Sequence, residues 1–170
     1  MSLLRAFTLF FLFTAAAFAA EPAIISPANG THIAPGAKFD FKYQIGAERG
    51  ISSYNYHVWL VTDKPLHFSP ELNWAGAFYL GTFANPNSPG NPKPKNPAPD
   101  QLTMPDFSQN PGGWGSGSFV SDATFYLAVF EEYSNGDPFV GHRISFVLNE
   151  IVYNATSDAS ESPVRSVEEL

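Results

Sequence analysis

The sequence predicts an all-β fold: an antiparallel sandwich of about seven short strands carrying one long Pro/Gly-rich loop. Three observations predict it. Apolar and charged residues alternate with period two from Lys38 to Tyr43, and further short runs are rich in aromatic and β-branched residues. The 13 glycines and 15 prolines punctuate the chain throughout. No stretch carries a convincing helical period. Aromatic residues make up 15% of the chain, led by 16 Phe, and large rings suit the gap between packed sheets.

Taken in order, Ile24-Ile25-Ser26-Pro27 reads as a short strand ended by the turn Ala28-Asn29-Gly30. Ala34-Pro35-Gly36 is a second turn. Lys38 to Tyr43 alternates aromatic with charged, one face buried and one wet. Tyr54 to Thr62 is a long aromatic and β-branched run, and Ala77 to Phe83 is another. Gln101 to Met104 is a brief strand before Pro105. Thr124 to Glu131 is apolar on both faces and so belongs at the centre of a sheet. Asn135-Gly136 is a strong hairpin-turn signal. His142 to Leu148 and Ile151 to Tyr153 close the sheet.

Some details resemble an immunoglobulin-type domain. Asp122 to Ala128 looks like strand F of such domains, with Tyr126 in the place of the tyrosine corner. Ala128 stands where the second core cysteine would be, Phe41 where the first would be, and Trp59 where the core tryptophan of strand C would be. A Greek-key sandwich of another kind, filled with aromatics, fits the same residues.

Length and composition narrow the function. A chain of 170 residues holds one domain. Residues 1–20 carry Arg5, an apolar run from Ala6 to Phe13 and the small-residue site Ala17-Phe18-Ala19, the pattern of a secretory signal peptide. The domain is then 21–156, followed by a polar, acidic tail at 157–170 expected to be disordered. The expected location is extracellular, and the sequons Asn29-Gly30-Thr31 and Asn154-Ala155-Thr156 are candidate glycosylation sites. A net charge of -7 disfavours nucleic acid and anionic lipid as partners, and no membrane insertion is expected. The absence of cysteine removes disulfides, thiol catalysis and Cys-ligated metals.

The segment from Ala84 to Gly117 holds more than half of the prolines. Its first half repeats an Asn/Lys-Pro beat that favours polyproline II and turns. Its second half sets Trp114 among Gly112, Gly113, Gly115 and Gly117. Loops of this length are functional or irregular, and both a binding role and an ordered decoration of the sandwich are open.

Catalytic signatures are missing. His32, His57, His67 and His142 form no metal-ligand spacing, and His57 reads as a structural histidine within a strand. Glu131 and Glu132 are neighbours on a strand and point to opposite faces, so they cannot share a substrate. Ser116 lacks the strand–turn–helix context of a hydrolase nucleophile. The expectation is a protein that is not an enzyme and takes no metal or cofactor.

The stretches Ile25-Ser26-Pro27-Ala28-Asn29-Gly30-Thr31, Phe39-Asp40-Phe41-Lys42-Tyr43, Tyr56-His57-Val58-Trp59-Leu60, Leu102-Thr103-Met104-Pro105-Asp106 and Leu127 to Tyr133, behind a secretion signal, resemble small secreted fungal proteins of the necrosis-inducing effector type. The resemblance spans Ala23 to Thr156. It implies a secreted β-sandwich without catalytic machinery, acting on host or cell-surface proteins. Two functions follow. One is an effector-like binding protein that acts by protein contact outside the cell. The other is a cell-wall or carbohydrate-binding module that stacks aromatic rings on sugars. Trp74, Tyr79 and Trp114 are the candidate binding residues for both.

Overall fold

The computed structural model describes residues 21–46, 52–64, 76–88, 90–108, 120, 122–134 and 141–153. Among these there is no helix, and nine strands form: β1 (Ala23–Ser26), β2 (Thr31–Ile33), β3 (Lys38–Asp40), β4 (Lys42–Gln44), β5 (Ser52–Val61), β6 (Ala77–Phe83), β7 (Gln101–Thr103), β8 (Ala123–Ser134) and β9 (Arg143–Tyr153). Residues 1–20, expected to be a signal peptide, Asn135-Gly136, expected to be a hairpin turn, and residues 157–170, expected to be a tail, lie outside the described residues.

The fold is all-β, with one five-stranded sheet in the order β2-β9-β8-β5-β6 and two short pairs, β1-β4 and β3-β7. The expectation of a wholly antiparallel fold is corrected at one edge, where β2 runs parallel to β9 with Thr31, His32 and Ile33 opposite Ile151, Val152 and Tyr153. The expected count of seven is corrected as well. β2 is too short to carry a periodic signal, and the run from Lys38 to Tyr43 breaks into two strands at Phe41. There the chain changes partner, from β7 to β1, and the Phe41 N–H donates to the Asp100 carbonyl at 2.8 Å. The two segments expected from His142 to Tyr153 join as the single strand β9.

β8 is the central strand of the large sheet, as its two apolar faces require. Its inward residues Phe125, Leu127 and Val129 meet Tyr56, Val58 and Leu60 of β5 and Ile151 and Tyr153 of β9 in one buried cluster. Phe39, Phe41 and Tyr43 from the short pairs close that cluster, together with Met104 and Phe107 after β7. Phe41 lies 6.4 Å from the Tyr56 ring and 6.2 Å from Phe83, and Phe107 meets Phe125 edge-on at 5.9 Å.

The placement of Trp59 in this core is corrected. Trp59 pairs with Ala128 across the sheet, and both leave the face opposite to Val58 and Leu127, because side chains alternate along a strand. Tyr126 shares that outer face. Phe41 therefore stands in the inner core, while Trp59 is only partly buried and Ala128, though fully buried, belongs to the outer face, and the immunoglobulin-type alignment through these residues is not made.

Among the described residues, one charged side chain is buried in the core. Glu131 is fully buried on the inner face of β8. It accepts the Tyr43 hydroxyl at 2.7 Å and the Gly46 N–H at 3.1 Å. A buried carboxylate requires such donors, since desolvation without them costs several kcal/mol or about that order. The bond also fixes β4 against β8 across the core.

The proline-rich segment is an ordered decoration over its described part. β6 ends opposite Tyr56, which leaves the start of β5 without a strand partner on that side. Asparagine amides supply it. The Ser53 N–H donates to Asn87 Oδ1 at 3.2 Å, and Asn87 Nδ2 donates back to the Ser53 carbonyl at 2.8 Å. Asn91 donates to the Tyr54 carbonyl, Asn96 to that of Thr82, and Asn85 to that of Tyr43. Prolines between these asparagines restrict φ and hold the amides in place. At Gly90 the loop lies so close to β5 that a Cβ would collide with Ser52.

Burial, reinforced by the charge of Glu131, pushes the hydroxyls of Tyr43 and Tyr56 far above the ordinary tyrosine range, and burial raises Tyr153 in the same direction. Unfolded tyrosines ionise near about 10, so the native state binds more protons than the unfolded chain above that pH. The stability these groups contribute is complete below pH ~10 and is lost as pH rises beyond it. Phenolate absorbance should therefore show a late group of tyrosines that ionise together with unfolding. Tyr43→Phe, which removes one of the two donors that Glu131 has among the described residues, should cost about 1–3 kcal/mol in urea unfolding.

Candidate functional site

The outer face of the five-stranded sheet gathers side chains that the core does not use. Strand register sets them in rows. Tyr79, Trp59, Ala128 and Leu148 form one row, from β6 across β5 and β8 to β9. Thr82, His57, Phe130 and Phe146 form the next, and Asn55, Glu132 and Ile144 the one beyond. The face is aromatic at its centre, with Trp59 and Tyr79 at 4.7 Å and Phe130 and Phe146 at 4.5 Å between ring centres. Tyr79 is 48% exposed and Ile144 64%, and the two stand at opposite corners of this face, on β6 and β9.

A local irregularity sets Tyr79 in its row. The β5–β6 register shifts between Val58 and Trp59, so that Val58 faces Gly81 and Trp59 faces Tyr79. Gly81 adopts φ +148°, and a Cβ there would collide with the Phe83 ring. Only glycine suits this bulge.

A polar chain borders the rings. The Tyr79 hydroxyl bonds Thr82 Oγ1. Thr82 Oγ1 meets His57 Nδ1 at 2.7 Å, and His57 Nε2 lies 3.6 Å from Glu132 Oε1. One tautomer satisfies every member: Tyr79 donates to Thr82, Thr82 donates to His57 Nδ1, and the Nε2–H faces Glu132. His57, read from the sequence as a structural histidine, is thus hydrogen-bonded, but on the wet face with its side chain 36% exposed. Glu131 and Glu132 do point to opposite faces, one into the core and one onto this surface.

Of the residues expected to bind, Tyr79 is on this face, and Trp74 and Trp114 lie outside the described residues. Trp59, expected in the core, joins Tyr79 instead. Glu132, which the sequence reads as a solvated charge, is 40% exposed on this face, and His57 and Ile144 join it there without a reading that places them on the surface. The available signal was parity, because Asn55, His57 and Trp59 alternate with Tyr56, Val58 and Leu60, and the polar members mark the outer set. No cluster of three or more potential metal ligands occurs among the described residues. No family model, curated protein or solved structure matches the chain.

Asn29 is exposed in the turn between β1 and β2, and its Oδ1 accepts the Glu150 N–H at 2.7 Å. A glycan forms on Nδ2 and leaves that bond intact, so the turn is compatible with modification. Asn154 lies outside the described residues. If a eukaryotic host exports and glycosylates the chain, removing N-glycans should lower its mass, and Asn29→Gln should abolish one step of that shift.

Proposed function

We propose that the protein is an extracellular, non-enzymatic binding module that acts by contact with another protein through the outer face of its large sheet. The observation that carries this reading is the exposed Tyr79 and Ile144 flanking Trp59 and the Phe130–Phe146 pair on one sheet surface. Tyrosine and tryptophan framed by polar groups are the composition of protein-interaction hot spots. Four strands at ~4.8 Å spacing and roughly eight residues at ~3.3 Å span on the order of 500 Å², the size of a transient interface.

The same geometry weighs against sugar stacking as the main role. A flat saccharide is best met by coplanar rings, whereas Trp59 and Tyr79 are tilted by 47°. Ile144, the most exposed of the large apolar side chains among the described residues, offers no π-face. The resemblance to small secreted fungal effector proteins points the same way, toward a protein partner outside the cell.

The test is the binding of labelled, full-length protein to intact fungal and host cells. Protease treatment of the cells should abolish binding, and digestion of their polysaccharides should not. Tyr79→Ala and Ile144→Asp should each weaken binding about tenfold or more, a hot-spot magnitude. Protease-resistant binding lost on digestion with chitinase, glucanase or cellulase would establish the carbohydrate reading instead.

A further inference from the structure

The outer face carries charge of one sign. Glu132 and Glu150 stand on it, and among the described residues neither lysine nor arginine does. Lys38 and Lys42 belong to the short strand pairs, Lys64 follows β5, Lys93 and Lys95 lie in the proline segment, and Arg143 has the inward parity of β9. The whole chain has a net charge of -7.

Glu132 is placed to accept a cation. Its side chain is 40% exposed, and His57 approaches it only to 3.6 Å, longer than the ~2.7–2.9 Å of a strong charge-assisted hydrogen bond. The carboxylate therefore keeps acceptor capacity. Phe130 precedes it by two residues on the same face, and Phe146 is Phe130's cross-strand partner, their rings tilted at 40°. A carboxylate beside aromatic faces matches a guanidinium or ammonium group, which can pair with the one and lie over the other.

We propose that the segment of the partner protein seated on this face is basic, with an arginine or lysine side chain held by Glu132 beside Phe130. The inference rests on the outer face being the docking surface and adds the chemistry of what docks. Complementary charge would steer the encounter and select against acidic partners. An interface of transient size gains most from such steering.

The experiment is selection of a phage-displayed random peptide library on the immobilised full-length protein, with Ile144→Asp as the counter-selection. Peptides that require Ile144 should be enriched in arginine and lysine. Their affinity should fall about tenfold or more in Glu132→Gln and should weaken as salt is raised. Peptides that require Ile144 but are neutral or acidic, and bind Glu132→Gln as well as the parent, would overturn the cation site and leave the docking face standing. If no selected peptide depends on Ile144, the docking face fails and the inference fails with it. Circular dichroism of both variants, expected to match the parent, separates loss of binding from loss of fold.

Discussion

Strand β8 has to serve two surfaces with one alternating sequence, because successive side chains of a strand leave opposite faces. Phe125, Leu127, Val129 and Glu131 go inward, and Tyr126, Ala128, Phe130 and Glu132 go outward. The position of β8 at the centre of the five-stranded sheet follows from this, as does the division of labour between its faces. The inner set meets a second layer of short strands and is sealed from water. The outer set meets no second layer of described strands and keeps Glu132 in partial contact with solvent.

Each face also contains a polar element, and the two are handled differently. Inside, Glu131 is satisfied by Tyr43 and Gly46, and the bond fixes how the short strands sit on the sheet. Outside, Glu132 is the end of the chain through His57 and Thr82 to Tyr79 and retains acceptor capacity. A carboxylate enclosed by donors stabilises the fold, and one that faces water beside rings is available to a partner. The asparagine clips of the proline segment belong to the first kind. They complete the hydrogen bonding of β5 where β6 stops, and so keep the strand bearing His57 and Trp59 in place.

Much of this fold is legible in the sequence, and the failures have physical causes. Aromatic and β-branched runs mark β5 and β6, and the apolar character of β8 on both sides places it centrally. The same property hid which side of β5 faces the core. Tyr56, Val58 and Leu60 are no more apolar, taken together, than Trp59 and Val61, and a one-residue slip exchanges the two sets. The large ring of Trp59 drew it inward, whereas its parity with Asn55 and His57 indicated the outer face. β2 escaped notice because three residues carry no period. The proline beat of residues 85–99 was visible, but the useful signal lay in the asparagines between the prolines, whose side-chain amides imitate a strand edge. Tyr79 was found as a binding candidate. Ile144 was not, since an exposed isoleucine in a β-branched run looks like any other strand residue.

The division of β8 and its neighbours into a sealed face and an accessible face can be measured directly, because the chain has no cysteine of its own. Single variants Tyr79→Cys and Ile144→Cys place a thiol on the outer face, and Leu127→Cys and Val129→Cys place one inside. Rates of reaction with a chromogenic disulfide reagent in the native state, compared with those in urea, report which thiols are open to solvent. The account predicts prompt native-state labelling at positions 79 and 144, and labelling at 127 and 129 only as the protein unfolds. Slow native labelling at 79 and 144, or prompt labelling at 127 and 129, would contradict it.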